Sequence, residues 1–467
     1  MSTTTAAPGT VLMTGSTGYV GSNLLPELLD RGWRVRVLTR SAARLPKEWA
    51  DRVDVVEGDA TDRESVARAL EGVDVAYYLL HSMDGEGDFI ERDREMAQLF
   101  SDEAAAAGVG RIVYLGGLHP DGELSPHLRS RVEVGEIFLD SPTPSVVLQA
   151  GIVLGDGSAS FQMLRHLTER LPAMITPKWA LNTIQPIGIV DVVYFLASAA
   201  GLEGDVNRSF DLGGPDVLTY AEMMKRYAEV AGLVPRVIVT VPVLTPSLAS
   251  HWIGLVTPVK AGIARPLIGS LVHDAVCHEQ DLLELVGPPP GGRTGYTDAL
   301  KAAMEGYDPL RWRRSLQVAG LATAATAVVG SLATDPGSRW YRRLDTPGWQ
   351  PPAIAFPVVW TALYTGIALS SAATLAETED DPKAAKGYAA TLAANLALNA
   401  GWSALFFKGH RPGLAAIDSA ALAATAAELT RRARPHGRLR TAALGTYTGW
   451  CTFATALTVA IWRRNRR

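Results

Sequence analysis

The stretch Val11-Leu12-Met13-Thr14-Gly15-Ser16-Thr17-Gly18-Tyr19-Val20-Gly21-Ser22-Asn23 constrains the fold more than any other. Val11–Met13 reads as the end of a buried strand, and Asn23-Leu24-Leu25 leads into a helix. Between them lie three glycines in a G-x-x-G-x-x-G spacing. A tight strand-to-helix turn needs residues without a Cβ, and a diphosphate needs close access to backbone N–H groups. The helix N-terminus adds partial positive charge, and Gly21 lets the helix pack closely on the sheet. Such a trio elsewhere is an ordinary Gly-rich turn; a preceding strand and a following helix are the context that gives it weight. Gly15, Ser16, Thr17, Gly18, Tyr19, Val20 and Gly21 are therefore candidate cofactor contacts.

The following chain alternates strands and helices. The first helix ends at Gly32, and Arg34–Leu38 is a second strand that closes on Thr39-Arg40-Ser41, with Arg44 one turn further on. A carboxylate at this position suits the ribose hydroxyls of NAD, whereas arginine suits a 2′-phosphate. Arg40 and Ser41, with Arg44 in support, favour NADP; the alternative is a solvated arginine at a strand end. Val53–Glu57 is a third strand, followed by Gly58-Asp59-Ala60-Thr61-Asp62, with Asp59 and Ala60 expected near the adenine edge. A helix over Ser65–Leu70 and a strand over Val73–Leu80 come next, and the exit Leu80-His81-Ser82 should pass the ribose. A helix over Phe89–Ala107, a strand over Arg111–Leu115 and a strand over Ser145–Leu148, leaving through Gln149-Ala150-Gly151, complete an α/β doubly wound, Rossmann-type parallel sheet.

These residues, with Pro186-Ile187-Gly188-Ile189-Val190-Asp191-Val192-Val193 and Phe210-Asp211-Leu212-Gly213-Gly214-Pro215, resemble the atypical, extended-like branch of the short-chain dehydrogenase/reductase superfamily over roughly residues 10–305. The resemblance implies NADPH binding and hydride transfer. Catalytic members carry a Tyr-x-x-x-Lys pair on a helix of the nucleotide-binding sheet, the Lys lowering the Tyr pKa so that it can pass a proton. No such pair lies between Gly110 and Ser145, and the helix there runs from His127 to Glu136. His127 and Arg131 keep the i, i+4 spacing and share a face. Two readings stay open: His127 donates the proton while Arg131 holds the ribose, or the chemistry has been lost and the pair only binds.

Charge and tryptophan divide the chain. From Arg311 onward there are 19 Lys+Arg and 8 Asp+Glu, against 25 and 40 before it, and seven of the 11 tryptophans follow position 310. A soluble acidic part is joined to a basic, apolar, Trp-rich part, which argues for a lipid bilayer and against nucleic acid as partner. Cys277 and Cys451 have neither disulfide-framework nor metal-ligand spacing, so no metal is expected. Met1–Thr10 lacks the features of a signal peptide. Val241–Cys277 is apolar and broken by proline; it lines a greasy pocket, leans on a membrane, or packs internally. The expected organisation is a nucleotide domain over 1–305, a linker over 306–314 and a membrane domain over 315–467.

Five apolar segments follow, at Ser315–Ala333, Ile354–Leu375, Tyr388–Phe406, Leu414–Leu429 and Thr441–Trp462, most near bilayer-crossing length. The fourth holds Asp418, expected to face inward. Trp340-Tyr341-Arg342-Arg343-Leu344-Asp345-Thr346-Pro347-Gly348-Trp349-Gln350-Pro351-Pro352, then Phe356–Tyr364 and Asn395–Phe407, closely resemble the tryptophan-rich sensory protein/translocator (TspO) family. That family implies an all-α five-helix transmembrane bundle binding a tetrapyrrole or other lipophilic ligand beneath its first loop. By this resemblance Trp340, Trp349, Tyr364, Asn399, Trp402 and Trp450 are ligand contacts, and a homodimer through the bundle is compatible with it. Flat aromatic faces with an N–H or O–H suit a porphyrin and its carboxylates; the competing reading is an interfacial aromatic belt. Thr446-Tyr447 replaces the family's Pro-Tyr, and the tail lacks its sterol-recognition tyrosine.

Three functions fit: a redox-linked sensor that binds NADP(H) without turnover, an NADPH-dependent oxidoreductase acting on a lipophilic or tetrapyrrole-like substrate, and a tetrapyrrole or lipid carrier. Five spans would put the two termini on opposite faces. Flanking positive charge divides ten against nine and decides little. The cytoplasmic NADP(H) pool places residues 1–310 in the cytoplasm.

Overall fold

The computed structural model describes residues 9–80, 89–120, 124–241, 267–269 and 271–466. The chain divides into two compact units, Met1–Tyr307 and Asp308–Arg467.

The first unit is built on a seven-stranded sheet. Its strands are β1 (Thr10–Thr14), β2 (Arg34–Thr39), β3 (Asp54–Glu57), β4 (Val75–Tyr78), β5 (Arg111–Gly117), β6 (Ser145–Ala150) and β11 (Arg208–Leu212). They lie in the order β11-β6-β5-β4-β1-β2-β3, and every neighbouring pair is parallel. Strands buried on both faces read as continuous apolar runs. In β1, Val11 and Met13 join one core cluster and Leu12 the opposite one. The helices between these strands are α1 (Tyr19–Asp30), α2 (Lys47–Ala50), α3 (Arg63–Leu70), α4 (Phe89–Ala106) and α5 (Pro126–Leu139). Asp62 and Ser125 cap α3 and α5 by accepting from Ser65 N and Leu128 N. The strand order reverses between β1 and β4, so the crevice above their carboxyl ends is the expected ligand position for such a sheet. Several strands differ in length from the sequence reading. β5 runs on through Gly116 and Gly117, and β6 through Gln149 and Ala150, because both stay hydrogen-bonded in one ladder.

A second core in this unit gathers β7 (Val153–Leu154), α6 (Ala159–Arg170), β8 (Ala173–Pro177), β9 (Thr183–Ile184), β12 (Leu218–Thr219), α8 (Tyr220–Val230), β13 (Val237–Val241) and α10 (Tyr296–Ala303). Strand β10 (Ile187–Gly188) and helices α7 (Ile189–Ala199) and α9 (Asp281–Val286) pack instead on the core of the seven-stranded sheet. Asp191, 1% exposed, accepts from the Thr294 N–H at 2.7 Å and its hydroxyl at 2.8 Å. Those bonds tie the Pro186–Val193 segment to the chain just beyond Pro288-Pro289-Pro290. Most of the apolar Val241–Cys277 stretch lies outside the described residues.

The second unit contains helices α11 (Arg311–Ala333), α12 (Ala355–Glu377), α13 (Pro382–Ser403), α14 (Pro412–Ala433) and α15 (Arg438–Arg464). Among the described residues three helical stretches are long and apolar enough to cross a membrane: Arg311–Ala333, Ala355–Glu377 and Pro382–Lys408. Helix α11 takes in Arg311–Arg314, the end of the stretch expected as a linker. Arg311 pairs with Asp380 at 2.9 Å, and Arg314 pairs with Asp308 and Glu379.

Candidate functional site

The glycine loop is shaped by what it excludes. Gly15 sits at φ +68°, and a Cβ there would lie 2.6 Å from the Leu79 carbonyl oxygen. A Cβ on Gly21 would lie 2.3 Å from the Gly15 carbonyl oxygen. Gly18 precedes α1 and brings no side chain to cap its first turn, which leaves N–H groups directed at the crevice. Ser16 is 2% exposed, yet its hydroxyl has no hydrogen-bond partner. A buried unpaired hydroxyl is costly unless something else satisfies it. A diphosphate lying on this loop would supply acceptors to both the hydroxyl and the N–H groups, so the residues fit such a group.

Two further residues brace the loop, and sequence reasoning missed one of them. Thr14 Oγ1 donates to the Tyr77 carbonyl at 2.9 Å and accepts from Leu79 N at 3.2 Å, stapling β1 to β4 where the strand order reverses. Tyr19 lies against the turn after β7, where a Cβ on Gly155 would fall 2.0 Å from its hydroxyl. Burial, then the nearby Asp156 carboxylate, push the Tyr19 phenol well above its ordinary range. Thr17 and Val20 lie on the open side of the loop, exposed and half-buried respectively.

At the end of β2, Arg40 and Arg44 are exposed and Ser41 is half-buried. Asp59 accepts from the Thr61 N–H at 3.0 Å and the Thr61 hydroxyl at 2.8 Å. These bonds, with a smaller contribution from Arg40, hold its carboxyl below the ordinary range. Glu57 accepts from the Ala42 N–H at 2.6 Å, which fixes the turn that carries Arg40 and Ser41. Ala60 and Leu80 are half-buried beside the crevice, and His81 lies outside the described residues.

The carboxyl ends of β5, β6 and β11 form the other wall. His127 occupies the first turn of α5, where burial and then the Arg131 charge push its imidazole down to about 4. Arg131 Nη2 donates to the Leu115 carbonyl at 2.6 Å, while its buried Nε has no partner. Tyr114 Oη donates in turn to the Arg131 carbonyl at 3.1 Å. The i, i+4 pair therefore stands at the end of β5, with the guanidinium anchored on the Leu115 carbonyl. Gln149, 7% exposed, places its amide 3.3 Å from His119 Nε2. Burial also lowers the His119 pKa, against a smaller opposing pull from Asp211. His119 was not anticipated from sequence. It follows a strand that ran two residues longer than expected, and its partner comes from a different strand.

In the helical unit the six expected ligand residues fall into two sets. Tyr364 Oη donates to Asn399 Oδ1 at 2.7 Å, Asn399 Nδ2 donates to Tyr447 Oη at 3.4 Å, and Tyr447 Oη donates to Asn395 Oδ1 at 2.9 Å. Asn395 Nδ2 then donates to Thr425 Oγ1 at 2.9 Å. Tyr364 and Asn399 are thus joined in one relay across four helices. The tryptophans differ. Trp402 stacks on Phe406 at 5.2 Å, Trp340 stacks on His410 at 4.4 Å, and Trp349 and Trp450 both meet Phe453. The indole N–H groups of Trp402 and Trp450 are buried without a partner. The loop carrying Trp340 and Trp349 is clasped to the end of α15, since Asn465 accepts from Asp345 N at 3.0 Å and donates to the Asp345 carbonyl at 3.0 Å. Asp418 faces inward as expected, with Oδ2 buried and unpartnered.

Comparison with known proteins covers both units. A family model described as NAD(P)H-binding matches residues 15–138, and the TspO/MBR family model matches residues 318–463. A ceramide reductase from Caulobacter vibrioides is 29% identical over 245 residues, which is 50% of this chain and 74% of that protein. The translocator protein of Homo sapiens is 30% identical over 129 residues, which is 28% of this chain and 76% of that protein. The crystal structure of Citrobacter sp. triphenylmethane reductase complexed with NADP(H) superposes with a TM-score of 0.51 at 19% identity, covering 63% of this chain and 99% of that one, a likeness of fold. The chain carries an N-terminal NAD(P)H-binding domain of reductase-like fold and, through its C-terminal part, belongs to the TspO/MBR family.

Proposed function

We propose that this chain is an NADPH-dependent reductase of a lipophilic carbonyl substrate, held at a membrane by a five-span TspO-type bundle that binds a tetrapyrrole or similar lipophile. The nucleotide domain faces the cytoplasm, where NADP(H) is available, and Arg40 with Ser41 and Arg44 favours the 2′-phosphate. The observation that carries the reading is the half-buried His127 one turn from Arg131, whose guanidinium is anchored on the Leu115 carbonyl at the end of β5. NADPH, when bound, supplies the hydride. A neutral imidazole held in a partly dry site donates its N–H to the substrate oxygen and stabilises the charge that builds there. Arg131 adds a fixed positive field, and a proton from solvent completes the alcohol. The reductase likeness over 245 residues supports this chemistry.

A sensor without turnover is the second reading. It is favoured by Arg131, whose guanidinium is committed to the Leu115 carbonyl, and by the missing Tyr-x-x-x-Lys pair.

The pH profile of NADPH oxidation by the full chain in lipid vesicles, with a long-chain ketone as probe, separates the two. Because the His127 pKa is lowered to about 4, the reductase reading predicts a level kcat between pH 6 and 8. His127→Ala should lower kcat roughly 100-fold, typical of losing one preorganised donor, with NADPH affinity unchanged. By linkage, the neutral imidazole contributes stability that is fully present above the ordinary histidine pKa and lost as pH falls toward 4. His127→Gln should flatten that acid limb. NADPH binding without oxidation in the wild type supports the sensor and removes the reductase.

A further inference from the structure

Strands β8 and β13 pair in parallel, with Ala173 beside Val237 and Ile175 beside Val239. Side-by-side partners in a parallel pair point to the same face. One face turns inward: Met174 is 9% and Thr176 8% exposed, and the Thr176 and Thr240 hydroxyls meet at 3.3 Å. The other face carries Ala173, Ile175, Val237 and Val239 and no polar side chain. Ile175 is 64%, Val237 59% and Val239 52% exposed. Leu181 and Val234, close by in sequence, are 54% and 52% exposed. A solvated strand face is normally polar, and parallel strands are normally covered on both faces. An apolar ribbon of this kind marks a surface meant to be covered.

The position of the chain's exit identifies the cover. Glu169, near the end of α6, is 7% exposed. It accepts from Tyr227 Oη at 2.6 Å and from Tyr307 Oη at 2.8 Å, and Arg165 lies over the Tyr307 ring at 4.1 Å. Tyr307 ends the first unit, and α6 stops only three residues before Ala173 of the apolar strand. The covalent link to α11 therefore leaves the domain beside the ribbon. Helix α11 is long and apolar enough to cross a membrane and starts at Arg311. Four residues span at most ~14 Å of extended chain. A surface tethered this close meets its membrane at high effective concentration. Exposed Lys178, directly after β8, adds a positive charge suited to anionic headgroups.

We propose that the β8–β13 face is a membrane-contact surface. It rests on the headgroup–acyl boundary and seats the nucleotide domain against the bilayer that α11 enters. The proposal rests on the membrane-spanning reading of α11 and not on turnover, so its outcome is separate from that of the reductase assay. The test uses the full chain, one per nanodisc, in phosphatidylcholine–phosphatidylglycerol with a doxyl-labelled lipid quencher. Single cysteines replace Ile175, Val239 and, as control, Glu64, whose side chain is 81% exposed on α3. Each is made in a Cys277→Ser/Cys451→Ser background and carries an environment-sensitive fluorophore. Labels at 175 and 239 should be quenched at least twofold by the doxyl lipid and shielded from iodide, and the label at 64 should show neither effect. Labels at 175 and 239 open to iodide would overturn the proposal. So would shielding without lipid quenching. If such shielding needs two chains per disc the cover is a second copy; if it does not, the cover is residues of the same chain.

Discussion

In the nucleotide unit the diphosphate site is shaped by the backbone of a glycine loop; in the helical unit the groups aimed at a ligand belong to side chains. The glycine loop leaves the first turn of α1 without a side-chain cap and one hydroxyl, Ser16, without a partner. The helical unit leaves the indole N–H groups of Trp402 and Trp450 unpartnered, while the amides of Asn395 and Asn399 and the phenols of Tyr364 and Tyr447 satisfy one another. A backbone site fails when a Cβ intrudes. A side-chain site fails when one donor is removed, and it fails by less.

The largest expected effect follows from that difference. Gly21→Ala places a methyl 2.3 Å from the Gly15 carbonyl oxygen. The loop must move, at about 3 kcal/mol, and NADPH affinity should fall by more than roughly 100-fold in a fluorescence titration. Near-normal affinity would show that the loop does not hold the diphosphate.

Arg40→Asp tests the side chain attached to that backbone site. Losing a charge-assisted phosphate contact is worth about 2 kcal/mol. NADPH affinity should drop roughly 30-fold and NADH affinity should hardly change. Equal binding of both cofactors by the wild type would contradict the NADP preference.

The smallest effects belong to the helical unit. Trp402→Phe keeps the ring and removes the orphan N–H, so porphyrin affinity should fall roughly fivefold, about 1 kcal/mol. Asn399→Ala breaks the relay instead. It should lower thermal stability by about 1 kcal/mol and leave porphyrin affinity near wild type. The reverse pattern would return Asn399 to the ligand site and remove Trp402 from it.

The same contrast explains what could be read from sequence. Glycine spacing encodes a backbone shape locally, so the loop, the alternation of strands and helices after it and the strand end that carries Arg40 were legible. Contacts between distant elements were not. His119 meets Gln149 from another strand, and Thr14 reaches across to β4. Asn399 is a ligand contact by resemblance, and its bonds to Tyr364 and Tyr447, 35 and 48 residues away, show only in the fold. The apolar face of β8 and β13 is written in alternate residues of two short strands, and becomes visible only when the register pairs them. The sequence ends the fifth strand at Leu115, ahead of Gly116 and Gly117, whereas the neighbouring strand keeps both glycines in the ladder.

The most direct test of the reductase reading follows the hydride. The full chain in lipid vesicles is given NADPH deuterated at the transferring position and a long-chain ketone, and the alcohol is analysed by mass spectrometry. The account predicts one deuterium on the carbinol carbon for each NADPH oxidised, loss of the product in Gly21→Ala, and a strong reduction in His127→Ala. NADPH that binds and stays unoxidised, with no deuterated alcohol, would contradict it.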